Sequence, residues 1–183
     1  MRDVLDGSSE FQLIKNMQSS SVIADFQIKN ATEETVPLIL SFIRKLAEYE
    51  RLSHVVVATE DVLRDELFVE RPAAEAIIGY LREEPVSFAI FFHNFSTFVG
   101  RRGLYLEDLY VKPAVRGKGI GREMLVYLAG LAKERGCGKM EWAVLDWNES
   151  AIRFYRNLGA IPMEEWTVFR VSGEALERLA CEE

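Results

Sequence analysis

The chain has 183 residues, enough for one domain with a sizeable core and too few to house a second full one. Its composition, 49% hydrophobic and 28% charged, is that of an ordinary globular protein, and no apolar run approaches the ~18 residues of a membrane span. A formal charge of -7 disfavours a general nucleic-acid binder and tolerates cationic partners.

Residues 1–20 mix Ser, Asn, Gln and Gly without a clean period and read as a flexible N-terminal extension, with no apolar core or cleavage site of a secretory signal. Residues 21–183 are expected to form a single domain. It opens with the strand SVIADFQIKNA. TEETVPLILSFIRKLAEYE then carries Val36, Ile39, Leu40, Ile43, Leu46 and Ala47 at helical spacing, with Pro37 near the helix start. A short helix is expected at Glu60 to Phe68. AEAIIGYL (74–81) and VSFAIFFHNF (86–95) flank a turn and read as a hairpin, and GLYLEDLYV (103–111) as a further strand.

Past three glycines, Ile120, Met124, Leu128, Leu131 and Ala132 define a helix. KMEWAVLD (139–146) is a strand, Asn148 to Leu158 a helix ending at Gly159, and EEWTVFRV (164–171) a last strand before a tail helix to Glu183. This order predicts a mixed α/β fold, one mixed sheet with helices on its faces. Cys137 and Cys181 lie far apart without C-x-x-C spacing, which points to reducing cytoplasm. His54 and His93 show no metal-ligand spacing, so no metal is assigned.

The stretch LYVKPAVRGKGIGREML places Gly117, Gly119 and Gly121 where a helix must start. A tight structural turn is one reading. A Walker loop is disfavoured because Lys118 is followed by Gly119, and a dinucleotide fingerprint because the segment follows an antiparallel block late in the chain. A pyrophosphate cradle fits: Arg116 flanks the loop, the amides of Gly117 to Gly121 can turn inward, and the helix N-terminus adds about half a positive charge.

Arg116-Gly117-Lys118-Gly119-Ile120-Gly121 matches the [R/Q]-x-x-G-x-[G/A] motif of the Gcn5-related N-acetyltransferase (GNAT) superfamily, whose loop holds the pyrophosphate of acetyl-CoA. YLEDLYV, RGKGIGREML, WNESAIRFYRNLGA and VFRVSGEALERLACEE together resemble the diamine (spermidine/spermine) acetyltransferases and their thialysine-acetylating relatives, over about residues 22 to 183. The resemblance implies a GNAT-type domain with a central, mixed, splayed sheet of six to seven strands. It also implies acetyl-CoA as cofactor, held by Leu109, Tyr110, Val111, Arg116, Gly117, Lys118, Gly119, Ile120, Gly121, Asn148 and Tyr155.

Two adjacent acids, Glu107 and Asp108, interrupt the strand LYLEDLYV. Their side chains should point to opposite faces unless a bulge re-aims one, and a strand bent to open an active site would show a bulge near Leu109 and Tyr110. An alkylammonium with a pKa near ~10.4 is no nucleophile until it loses a proton, and a carboxylate can both attract the cation and take that proton. By the resemblance, Glu107 is the water-mediated base and Asp108 helps to bind the polyamine. The amides of Leu109 and Val111 face the thioester and pantetheine arm.

Asn148 suits a helix N-cap, and the resemblance adds a bond to the pantetheine arm. Tyr155 is either a core aromatic or the general acid for the leaving thiolate of CoA, and the RFYRNLGA context favours the acid. Glu164, Glu165 and Trp166 resemble an acid-acid-Gly-Trp segment that contacts polyamine, without its glycine. Glu48, Glu50 and Asp61 remain open as further acids of a cleft, and His93 to Ser96 as lining of the acceptor side.

The expected reaction is direct attack of a polyamine or diamine amine in a ternary complex. Thialysine, another amino acid, an aminoglycoside-like amine or a protein N-terminus stay open as acceptors, as does a non-catalytic acyl-CoA-binding regulator. A zwitterionic acceptor would want a cation for its carboxylate, with Arg101 and Arg102 as candidates. Neither nucleic acid nor membrane is expected as a partner. The resemblance implies a homodimer through exchanged C-terminal elements.

Overall fold

A computed structural model describes residues 23–181. The expected extension over residues 1–20, the first residues of the opening strand and the last two of the tail helix lie outside the described residues. The chain divides into two compact units, one up to Ala143 and one from Val144 onward.

The first unit contains strands β1 (Phe26–Asn30), β2 (Glu75–Leu81), β3 (Glu84–Ser96), β4 (Arg101–Val111) and β5 (Met140–Trp142). Its helices are α1 (Val36–Tyr49), α2 (Glu60–Leu67) and α3 (Ile120–Glu134). The strands form one open sheet in the order β1-β2-β3-β4-β5, antiparallel except for the parallel β4–β5 pair. The fold class is thus mixed α/β as expected, with five strands among the described residues rather than six or seven.

Local sequence explains the elements. Thr32 and Thr35 form a capping box, with the Thr32 amide donating to Thr35 Oγ1 at 3.0 Å. Pro37 falls in the first turn of α1, where its missing N–H has no partner to lose. The apolar face of α1 buries Val36, Ile39, Leu40 and Phe42 in one cluster with Ile78, Phe88, Ile90 and Tyr110. Phe42 and Phe88 stack with ring centroids 5.3 Å apart. β3 is an almost unbroken apolar run because both of its faces are covered. Phe88 and Ile90 face α1, while Ala89 and Phe91 are buried on the opposite face, which carries α3 through Ile120, Met124 and Leu128.

The second unit holds α4 (Glu149–Asn157) and α5 (Glu174–Cys181). Gly159 ends the α4 segment at φ 88°, and the Ala160 amide returns to the Tyr155 carbonyl at 3.1 Å. Two expected strands shrink or vanish. Of residues 139–146 only Met140–Trp142 pairs, and residues 164–171 are irregular. Trp166, Val168 and Phe169 are 69%, 88% and 89% exposed. Alternating apolar residues become a strand only beside a ladder partner, and among the described residues none pairs with this segment.

Gly79 marks a tight crossing in the sheet. A Cβ there would lie 2.2 Å from Ser87 Oγ and 2.7 Å from the Phe26 ring, all buried. Gly79→Ala should therefore lower stability by about 1–3 kcal/mol. Urea denaturation measures this, and an unchanged midpoint would show that β1 gives way freely.

Candidate active site

Strand β4 carries the site. Ile90 pairs with Asp108 and Phe91 with Leu106, so Glu107 is an extra residue with no partner: the bulge lies there, two residues before its expected place near Leu109. The one-residue insertion reverses the facing of everything after it. Leu106 is buried on the α3 face, whereas Asp108, opposite Ile90, lies on the α1 face together with Tyr110. Unbulged, Asp108 would point to the other side.

β5 ends at Trp142, opposite Leu106. Beyond that point no strand pairs with β4 on this side among the described residues. The Lys112 amide donates to the Val86 carbonyl at 2.8 Å, which sets the hydrogen-bonding phase of the β3–β4 ladder. In this phase Tyr110 and Asp108 bond toward β3, and the amides of Leu109 and Val111 point to the unpaired edge. These are the two amides expected to meet the cofactor arm. Tyr110 itself is buried in the α1 cluster, so only a contact other than its amide is left to it.

The acids converge as well. Burial, then the charges of Glu107 and Glu50, raises Asp108 from 3.8 to about 6. Glu50, at the C-terminal end of α1, is itself raised by burial. It is the one acid that joins the pair from the three left open by the sequence; Asp61 instead pairs with Arg64 at 2.9 Å. A signal for Glu50 existed: an acid at a helix C-terminus opposes the helix dipole, a local conflict of the kind functional sites show.

The glycine loop follows directly. Gly117 and Gly119 take φ values of 76° and 88°, a region that side chains resist, and Gly119 caps α3. The amides of Gly117 to Arg122 find no hydrogen-bond acceptor among the described residues, while Ile120 sends its side chain into the core. Lys118 is exposed. Arg116 is engaged within the fold: its Nε donates to the Val111 carbonyl at 2.9 Å, and its guanidinium lies 4.4 Å from the Tyr49 ring centre and 5.6 Å from that of Tyr110. It ties the loop to the end of β4 and the end of α1.

Arg101 and Arg102 begin β4, six residues before Glu107 and Asp108 respectively. At ~3.3 Å per residue that is about 20 Å from the acids, too far to hold the carboxylate of an acceptor whose amine is at Asp108. His93 to Ser96 pair with Leu104 to Arg101, at the end of the strand pair away from Glu107 and Asp108.

In the second unit Asn148 is buried and caps α4, its Oδ1 accepting from the Ala151 amide at 3.3 Å and from Ser150 Oγ at 3.2 Å. Tyr155 is half-buried on α4, with its ring centre 5.4 Å from that of Phe154. Glu164 and Glu165 form an exposed turn that Trp166 closes by an amide bond to the Met163 carbonyl at 3.2 Å. Cys137 and Cys181 are free thiols.

Residues 42–160 match the Acetyltransferase (GNAT) family. The chain belongs to that family. Among acetyltransferase relatives, thialysine N-epsilon-acetyltransferase of Sus scrofa is 38% identical over 169 residues, covering 86% of this chain and 99% of that one. L-ornithine N5-acetyltransferase of Arabidopsis thaliana is 30% identical over 198 residues, covering 84% of this chain and 87% of that one. An integron cassette protein of V. cholerae superposes with a TM-score of 0.73 at 26% identity, over 87% of this chain and the whole of that one.

The raised Asp108 has a sign that can be tested. Its folded pKa of about 6 lies above the ordinary 3.8, so folding takes up a proton between those values. Its stabilising contribution is complete below roughly pH 4, falls as pH rises toward 6 and is lost above that. Relative to Asp108→Asn, the wild type should lose up to about 3 kcal/mol across that window. Urea titrations at stepped pH measure this, and parallel curves for the two proteins would reject a buried carboxyl at Asp108.

Proposed function

We propose that this acetyltransferase moves the acetyl group of acetyl-CoA onto a terminal primary amine of a small diamine or polyamine, by direct attack in a ternary complex. The observation that carries the acceptor class is the convergence of Glu107, Asp108 and Glu50, since both charges acting on Asp108 are carboxylates. Such a cluster attracts an alkylammonium, and Glu107, displaced from the ladder by the bulge, is free to take its proton through water.

Acetyl-CoA supplies an activated acetyl thioester. Unpaired amides over Gly117 to Gly121, in left-handed glycine turns at a helix N-terminus, suit a pyrophosphate. The edge amides of Leu109 and Val111 suit the carbonyl oxygen that gains charge as the amine attacks. Asn148 is assigned to the pantetheine arm and Tyr155 to protonation of the leaving thiolate. Residues 21–183 act as one catalytic domain in this reading, supported by a family match that spans the boundary at Ala143 and Val144. A reducing, cytoplasmic setting agrees with its free thiols.

A second reading places the same chemistry on the distal amine of a diamino acid. It is favoured by the names of the relatives, which act on thialysine and on L-ornithine. The acids serve the reacting end equally; only the partner of the carboxylate differs.

Release of free thiol from acetyl-CoA separates these readings, with spermidine, simple diamines, thialysine, ornithine and an aminoglycoside as acceptors. Turnover should be highest with a diamine or polyamine; preference for thialysine or ornithine moves the assignment to the second reading. Donor binding without turnover on any amine would make the protein an acyl-CoA-binding regulator. Glu107→Gln should lose most activity at low pH, where free amine is scarce, and Tyr155→Phe should lower kcat about 10- to 1,000-fold with little effect on donor binding.

The C-terminal segment is assigned to a homodimer. Trp166, Val168 and Phe169 stand exposed, and a second copy is the partner that would cover them and bring Glu164 and Glu165 to an acceptor site. Light scattering should report about twice the 20.9 kDa chain mass. A monomer of full activity would overturn the arrangement.

A further inference from the structure

The end of the sheet opposite the acids carries a second, unrelated surface. The end of β3 and the turn that leads to β4 project Phe95, and then Phe98 and Val99, at 66%, 93% and 55% exposure. It is a defined turn, closed by the Gly100 amide on the Ser96 carbonyl at 2.8 Å. It is also seated: the Gly138 amide donates to the Arg102 carbonyl at 2.9 Å, and a Cβ on Gly138 would lie 3.1 Å from Val99 and 3.5 Å from Arg101. The apolar tip and the α3–β5 connection are therefore one surface. Beside the tip lies an open depression of about 390 Å³, lined by Arg101, Lys133, Lys139, Cys137 and neighbouring small residues. Lys139 is held by Glu141 at 2.7 Å, whereas Arg101, Arg102 and Lys133 make no ion pair among the described residues.

We infer that this hairpin tip and depression form a peripheral docking site for an anionic lipid surface. Three features select that occupant. Unpaired cations around a depression of this size call for a phosphate or carboxylate headgroup. Large apolar side chains at a convex apex offer no groove for a partner's side chains, but a convex wedge enters the acyl boundary of a bilayer readily. Arginines a few residues behind the apex stand at headgroup depth. The net charge of -7 opposes this contact at long range, so the local cations act only within about a screening length of the surface. The acids of the candidate site lie about 20 Å away along β4, more than two screening lengths of ~8 Å at physiological salt. Docked by this end, the protein keeps its acidic end turned to solvent.

Sedimentation of the full chain with vesicles tests the inference, using phosphatidylcholine alone and phosphatidylcholine with about a third phosphatidylserine. Binding to the anionic vesicles should exceed that to neutral ones about tenfold and fall away between about 0.1 M and 0.5 M salt. Phe98→Ser/Val99→Ser and Arg101→Glu/Arg102→Glu should each abolish most of it, with melting curves unchanged, while Phe169→Ser in the exposed tail should not. Equal binding to both vesicles, or variants that bind like the wild type, would overturn the proposal. So would retention on heparin, or calorimetric binding of glycerophosphoserine, that depends on Arg101 and Arg102 without any vesicle binding; either assigns the depression to soluble polyanions.

Discussion

A β-strand presents its side chains to alternate faces, and one extra residue in β4 breaks that rule at Glu107. The candidate site depends on this break. Without it Asp108 would sit on the α3 side of the sheet, away from Glu50, and the carboxylates would not meet. The bulged residue gains freedom from the ladder while the residue after it gains burial, so two neighbouring acids of ordinary chemistry acquire different environments. The early end of β5 adds the second constraint, because it leaves Leu109 and Val111 with amides that no strand among the described residues takes up.

Much of the first unit was legible because its signals are local. The spacing of α1 and α3, the hairpin of β2 and β3, and the glycines at the α3 cap each rest on side-chain periodicity or on backbone geometry that only glycine relaxes. The bulge was anticipated in kind and misplaced by two residues, since register is a property of two strands together and the sequence displays one at a time. The strand expected over residues 164–171 failed for the same reason. Alternation in Trp166, Val168 and their neighbours states a capacity to pair, and the partner is a matter of tertiary or quaternary structure.

The site shows a similar division. Glu107, Asp108 and the loop amides are candidates nominated by chemistry that needs particular groups at particular spacings. Glu50 stood among three candidate acids because nothing in the linear chain brings the end of α1 to β4. Arg116 is nominated by the motif, while its bonds within the fold, to Val111 and over two tyrosine rings, are tertiary and no spacing displays them. Motifs report residue types reliably and their immediate partners less so.

That Arg116 side chain has a thermodynamic consequence. It touches the ring of Tyr49, next in chain to Glu50, and the ring of Tyr110, two residues past Asp108, while its own backbone opens the glycine loop. Loop and acids therefore share a rigid element and are not independent sites. A displacement of the loop is felt at the surroundings of the acids, and linkage makes any coupling that results equal in both directions. One guanidinium thus gives the fold a path for coupling whose size is the same whichever ligand arrives first.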